Sequence, residues 1–189
     1  MLSVIIPTDG VEQPAVATLA ALVPGAAAGV IREVLLVDRA GTDVIERVAD
    51  VAGCSFLTSQ GSRAAAMAAG AKQARSPWLM FLHAGAVLDA GWIEETQQFI
   101  QRVSTSERPR AGIFRYARSP YDEAGIGDGL KHLARMLTGP KTDQGLLIAR
   151  EHYDRLGGYA PDARRSEARL LRQLGRSSRT LLRSRIIVA

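Results

Sequence analysis

Short apolar runs divide the first half of the chain, and stretches with helical spacing lie between them. Leu2-Ser3-Val4-Ile5-Ile6-Pro7-Thr8 is the first run, stopped by its proline. A continuous run of this kind, rather than an alternating one, predicts a strand buried on both faces of a parallel sheet. A helix is predicted from about Val11 to Val23, with Pro14 in its first turn, where the missing N–H costs little, and Pro24-Gly25 as its stop. Glu33 to Asp38 is the second strand and closes on an aspartate. Gly41 or Thr42 caps the next helix, which runs to about Val51. Cys54 to Thr58 is the third strand, and the alanine-rich stretch Gly61 to Ala74 has good helix propensity. Trp78 to Leu82 is the fourth strand, too short for a helix, with Pro77 at its entry and small residues after it. The chain then turns through His83-Ala84-Gly85-Ala86 and enters a helix spanning Asp89 to Val103.

Alternation of this kind predicts right-handed βαβ units, hence an α/β fold with a mostly parallel central sheet and helices on both faces. Ligands of such sheets bind outside the carboxyl ends of the strands, where the His83–Ala86 turn falls. The second half is less regular. A polar linker, Ser104 to Arg110, leads to a strand over Ala111–Ala117 and a helix over Asp128–Leu137. Gly145 to Ala149 is another buried strand, and a short helix from Glu151 to Leu156 ends at Gly157-Gly158. A helix from Glu167 to Leu174 ends at Gly175, and Thr180 to Val188 is the last strand.

Composition narrows the class. The 189 residues fit one domain with a sizeable core, and an apolar content of 47% excludes disorder. Aromatic residues make up only 5%, which argues against a base-stacking surface and ranks nucleic-acid binding last. No apolar run approaches the roughly 20 residues that span a bilayer, and no signal peptide is evident. With a single cysteine, Cys54, read as a buried structural thiol, the expectation is a cytoplasmic protein. The net charge of +5 is concentrated in the segment Arg164–Arg185, which holds eight arginines against Glu167 alone. Such a segment suits a solvated face or an anionic membrane surface, which would place the protein at the inner face of the membrane. His132 and His152 sit on predicted helices without partners and are expected at the surface. No Gly-x-Gly-x-x-Gly follows the first strand and no phosphate-loop lysine is present, which excludes those two nucleotide sites.

Several motifs, in order, carry a resemblance. They are Ser3–Thr8, Val37-Asp38, Gly41-Thr42-Asp43, Gly61-Ser62-Arg63 leading into Met67, Leu82-His83-Ala84-Gly85, Thr142-Asp143-Gln144-Gly145 and Leu156-Gly157-Gly158-Tyr159. Together they resemble family 2 glycosyltransferases of the GT-A fold, in particular the branch with Leu-His-Ala-Asp after its fourth strand. The resemblance covers nearly the whole chain. It implies a three-layer α/β/α sandwich, with residues 1–104 as a nucleotide-binding half and 111–189 as an acceptor-side half. It implies transfer of a sugar from a nucleotide-sugar donor to a glycan or lipid. Pro7, Thr8, Asp38, Arg63, His83 and Gly85 would line the donor site, and the Asp143 region would line the acceptor side.

The departures fall on the chemistry. The family's metal-holding aspartate is Gly85 here, its Met-Asn pair is Met67-Ala68, and its Glu-Asp base motif is replaced by Asp162-Ala163-Arg164-Arg165-Ser166-Glu167. Mn²⁺ or Mg²⁺, which would neutralise the leaving diphosphate, has only His83 left as a candidate ligand. Asp143 and Glu167 are the remaining candidates for the catalytic carboxylate, with Asp162 behind them. The rival expectation is a catalytically degenerate relative that binds or scaffolds on the same fold.

Overall fold

Each apolar run becomes a strand whose side chains alternate between two cores, so no face of the central strands meets water. The computed structural model describes residues 1–106, 108–117, 144–161 and 166–188. Within them lie strands β1 (Leu2–Thr8), β2 (Ile31–Asp38), β3 (Ser55–Thr58), β4 (Trp78–Phe81), β5 (Ala86–Leu88), β6 (Ala111–Ala117), β7 (Leu146–Ala149) and β8 (Arg179–Val188). The helices are α1 (Glu12–Ala27), α2 (Asp43–Ala52), α3 (Arg63–Gln73), α4 (Trp92–Ser104), α5 (Arg150–Arg155) and α6 (Ser166–Gln173). The expected helix at 128–137 lies outside the described residues.

The strands form one sheet in the order β3-β2-β1-β4-β7-β6-β8-β5. The four expected strands stand side by side and parallel at one end of it. β7 and β5 run against their neighbours, so the sheet is mostly parallel. Leu2, Val4, Ile6 and Met80 face one core with Leu22 of α1, Ile45 of α2 and Phe99 of α4. Ile5, Leu79 and Phe81 face the other with Met67 of α3, Tyr153 of α5 and Leu170 of α6. This is a three-layer α/β/α sandwich. Full burial of each large aliphatic side chain contributes roughly 1.5–3 kcal/mol, so two saturated faces make β1 the hardest strand to displace.

Three elements depart from the expected boundaries. α1 continues through Pro24-Gly25 to Ala27. A Cβ on Gly25 would lie 2.3 Å from the Trp92 ring, so this close helix–helix contact needs glycine and holds the last turn in place. The helix after His83 starts at Trp92, because Ala86–Leu88 instead pairs with Ile186–Val188 as β5. β6 lies along one edge of β8; on the other edge, beyond that short pairing, no strand lies beside it among the described residues, and side chains take the strand's role. Glu95 accepts the N–H groups of Arg183 and Ser184 at 2.6 Å each, and Asp89 accepts that of Arg185 at 3.0 Å. Finally, α6 stops at Gln173, with Gly175 at φ 63 behind it. Arg176 therefore lies past the helix and Arg165 lies outside the described residues, so of the arginine-rich segment α6 carries Arg169 and Arg172.

A buried aromatic cluster fastens α5 to β4. Phe81 stacks tilted on Tyr153 at 5.4 Å between centroids and meets Tyr159 edge-on at 5.0 Å. The Tyr153 hydroxyl accepts the N–H of Tyr159 at 3.0 Å. Burial pushes the Tyr153 phenol up to about 12, so it remains a neutral hydroxyl. Gly158, at φ 60, passes so close that a Cβ there would sit 2.7 Å from the Tyr153 ring. Removing the acceptor with Tyr153→Phe should therefore lower stability by about 1–3 kcal/mol, the cost of a stranded buried N–H. Gly158→Ala adds steric overlap to a left-handed backbone and should cost at least about 1 kcal/mol. Denaturant midpoints read both, and an unchanged midpoint for Gly158→Ala would show that the ring can swing aside.

Candidate functional site

The chain direction locates a crevice before any residue is considered. From β1 the connections through α1 and α2 lead outward to β2 and β3 on one face. From β3 the connection through α3 returns on the other face to β4, on the far side of β1. The order reverses between β1 and β4, and the crevice outside their carboxyl ends is the position where such sheets bind ligands. Pro7 and Thr8 end β1 there, Asp38 ends β2, and Leu82-His83 leave β4.

Asp38 organises one wall. It is fully buried, and both carboxylate oxygens are occupied by the chain itself. Oδ1 accepts the Thr8 hydroxyl at 2.9 Å and the Gly10 N–H at 2.7 Å; Oδ2 accepts the Thr42 N–H at 2.9 Å and its hydroxyl at 3.3 Å. Burial works to raise the pKa of this carboxyl, but the bonds from Thr42, Thr8 and Gly10 outweigh it and hold the group below its ordinary range. Thr42 stands at the N-cap of α2 yet makes no side-chain cap bond, because its hydroxyl is spent on Asp38. Asp43 follows it as the first-turn acid of α2. Asp38 thus ties together the loops after β1 and β2. Thr42 and Gly10 are partners that sequence reasoning missed, although a Thr four residues after a strand-end Asp is a visible signal.

The His83–Gly85 turn forms the second wall and is pinned under α1. The His83 carbonyl accepts the Thr18 hydroxyl at 3.3 Å, and Gly85 donates its N–H to the Pro14 carbonyl at 2.9 Å. Gly85 has φ 92, a backbone that L side chains rarely adopt. His83 is buried at 9% exposure. Among the described residues no group of three or more His, Cys, Asp or Glu is arranged to hold a metal ion. His83, the candidate ligand, belongs to no such group among the described residues.

Arg63 and Glu167 come from opposite halves of the chain and meet. The guanidinium Nε lies 2.7 Å from one Glu167 oxygen and its Nη2 3.0 Å from the other, a two-pronged pair between the starts of α3 and α6. Ser62 caps α3 at Ala65 and donates to the Pro161 carbonyl at 2.9 Å, a second tie between the same segments. The expected phosphate contact and the expected base are thus held together at the sheet's carboxyl edge. The opposite wall, where the resemblance implies the acceptor side, is partly described. Leu146 pairs with Phe81, so Gln144 and Gly145 reach the edge beside Leu82. Asp143 itself and Asp162 lie outside the described residues. His152, expected at the surface, is instead buried at 6% exposure, because its side of α5 faces inward with Tyr153. Cys54 is half-buried and burial pushes its thiol up, away from a reactive thiolate.

Two carboxylates with lowered pKa values, Asp38 and Glu95, set an acid limit. Glu95 owes its lowering to the Arg183 and Ser184 bonds, which outweigh the opposing effect of burial. A lowered folded-state pKa contributes stability that is present above the unfolded value and lost as pH falls through the folded one. Stability should therefore hold at neutral pH and fall below about pH 4, near the unfolded values of Asp and Glu. Asp38→Asn and Glu95→Gln should each lower stability at pH 7 and flatten that acid slope. Parallel slopes in variant and parent would show that neither carboxylate carries it.

No protein-family model matches the chain, and no curated protein matches it. Solved structures do. S. aureus TarS 1-349 in complex with UDP aligns with all of this chain at a TM-score of 0.69 and 12% identity, and 60% of that chain is covered. Its complex with UDP-GlcNAc aligns at 0.67 and 12% identity over 98% of this chain and 58% of that one. Glucosyl-3-phosphoglycerate synthase from Mycobacterium tuberculosis, in complex with Mn²⁺, UDP and glucosyl-3-phosphoglycerate, aligns at 0.67 and 13% identity over 100% and 70%. The chain spans about 60% of the TarS chains it matches. At this identity the likeness speaks for fold, and the fold is the GT-A-like α/β sandwich of these glycosyltransferases.

Proposed function

We propose that this domain binds a nucleoside diphosphate sugar in the crevice between the carboxyl ends of β1 and β4 and transfers the sugar to an acceptor hydroxyl. Residues 1–104 form the donor half, with Pro7, Thr8, Asp38, Arg63, His83 and Gly85 around it, and residues 111–189 form the acceptor half. The observation that supports the reading is the Arg63–Glu167 pair at the start of α3, on the carboxyl side of the sheet, in a fold shared with proteins solved with UDP and UDP-GlcNAc. Asp38 acts by shaping the loops that receive the nucleotide, since its own oxygens are already bonded. Arg63 offers charge to the departing diphosphate. As Arg63 turns to the diphosphate, the Glu167 carboxylate is released to accept the acceptor's hydroxyl proton. The acceptor oxygen then bonds to the anomeric carbon, and the sugar–phosphate bond breaks with its electron pair leaving on the nucleoside diphosphate.

Isothermal titration with UDP and GDP, with and without Mn²⁺, tests the donor site. One nucleotide should bind, and with no carboxylate at position 85 Mn²⁺ should add little. Arg63→Ala should weaken binding about tenfold, the worth of one charge-assisted contact. Glu167→Gln should keep nucleotide binding but slow transfer from the bound sugar by about a hundredfold or more, the usual contribution of a general base. Absence of nucleotide binding would overturn the reading.

Gly85 and the internally bonded Asp38 favour a second reading, a degenerate relative that binds nucleotide sugar or scaffolds a partner without turnover. Tight binding with no transfer in either the parent or Glu167→Gln would select it.

The arginine-rich segment supplies a further part of the proposal, contact with an anionic membrane at the cytoplasmic face. Arg169, Arg172, Arg176, Arg183 and Arg185 are exposed, and Arg185 stands opposite the exposed Arg115 across β6 and β8. Like charges directly opposite repel, and an anionic surface would relieve this at about 1 kcal/mol per arginine. Among the described residues no helix is long and apolar enough to cross a membrane, so contact would be peripheral. Co-sedimentation with phosphatidylserine vesicles at low salt should show binding that added salt removes, and Arg169→Glu with Arg172→Glu should weaken it. Failure to sediment at low salt would leave these arginines as a solvated face.

A further inference from the structure

The amino end of β4, opposite the crevice, holds a feature that sugar transfer does not use. A cavity of about 810 Å³ opens between the last turn of α4, the approach to β6 and the start of α5. That volume lies within the roughly 300–1,000 Å³ typical of small-molecule sites. Trp78, Val103 and Pro109 make part of its wall apolar, and Arg110, Arg150 and His152 make another part polar. Arg150 is a fixed charge. Its guanidinium donates to the carbonyls of Ala71 at 2.9 Å, Ala74 at 2.6 Å and Ser76 at 3.1 Å, closing the end of α3. Arg110 is exposed and makes no hydrogen bond or ion pair with the described residues. The acids on the wall are exposed: Glu151 lies 3.6 Å from Arg155, and Asp154 sits beside them.

His152 points to a ligand. It is 6% exposed, and its Nδ1 is sealed from solvent with no hydrogen-bond partner. Buried polar nitrogens are normally satisfied, so an orphan in a cavity wall marks a place for a partner the chain does not supply. Burial first, and then the nearby Arg155, lower the His152 pKa, which keeps the imidazole neutral in a positive field.

We propose that this cavity binds a small oxyanion, phosphate or carboxylate, carried on an apolar body. Arg110 swings onto the oxyanion within the field of Arg150, the His152 ring turns out of the wall so that its Nδ1 hydrogen-bonds to it, and Trp78, Val103 and Pro109 cover the apolar body. The site is separate from the donor crevice and does not depend on the function proposed above.

The test is a titration of the whole ¹⁵N-labelled chain with phenyl phosphate, alongside inorganic phosphate and benzoate. Saturable shifts at Ser104, Arg110, Glu151 and His152 are expected, with phenyl phosphate or benzoate tighter than inorganic phosphate. Arg110→Glu, at an exposed position that leaves the fold intact, should weaken binding about tenfold, the loss of one charge-assisted hydrogen bond. His152→Gln should weaken it as well, and a conserved amide spectrum would show that the fold survives that change. The inference is overturned by the absence of saturable shifts, by Arg110→Glu binding as the parent does, or by inorganic phosphate binding as tightly as phenyl phosphate. Shifts that appear instead at Thr8, Thr42 and Arg63 and are reversed by UDP would also overturn it.

Discussion

The pairing of β1 on both sides is the constraint from which the rest of this domain follows. β1 bonds to β2 along one edge and β4 along the other, both in parallel register, and all seven of its residues are buried. A strand so enclosed must be apolar on both faces, and its parallel neighbours must be reached by crossover helices. Those crossovers leave β1 on one side and return on the other. The reversal opens the crevice at its carboxyl end without any residue being committed to it. Chemistry is then confined to whatever the loops at that edge present. The same constraint explains Gly70 of α3, where a Cβ would lie 2.5 Å from Ile5. The helix returning to β4 lies that close to β1.

The first half was legible in the sequence because each element signals its own state. Val4-Ile5-Ile6 and Leu79-Met80-Phe81 are apolar enough to name themselves strands, and Ser62 precedes an alanine-rich helix that it caps. The second half was less legible because its elements depend on distant partners. Ala86-Val87-Leu88 reads as a loop until Ile186–Val188, a hundred residues on, lies beside it. The placement of β7 between β4 and β6, antiparallel to both, has no local signature. Neither does the replacement of a missing strand by Glu95 and Asp89, which reads in sequence only as acids near a helix start.

For the candidate site, the sequence named positions but not their relations. Asp38, Arg63 and Glu167 could each be named from spacing or resemblance, yet spacing could not say that Asp38 is saturated by Thr8, Gly10 and Thr42. Nor could it say that Arg63 and Glu167, 104 residues apart, grip each other. Pairings of this kind arise from topology, which brings the starts of α3 and α6 to the same edge. His152 shows the converse. A histidine two residues into a short polar helix carries no sign of burial, and its inward face becomes visible only once Tyr153 is seen packed under Phe81.

These relations also limit what the crevice can do. A carboxylate that already accepts four hydrogen bonds has little capacity left for a base or a metal, so Asp38 serves by fixing the loop geometry. Gly85, in a left-handed turn tied to Pro14, offers no side chain at the position where the resemblance implies a metal-binding aspartate. One ion pair that remains adjustable at this edge is Arg63–Glu167. A half-buried pair of this kind contributes little net stability, because desolvation offsets most of its attraction. What it confers is position: each partner fixes the other between the starts of α3 and α6. In the function we propose, a diphosphate draws Arg63 away and so frees the Glu167 carboxylate for the acceptor hydroxyl.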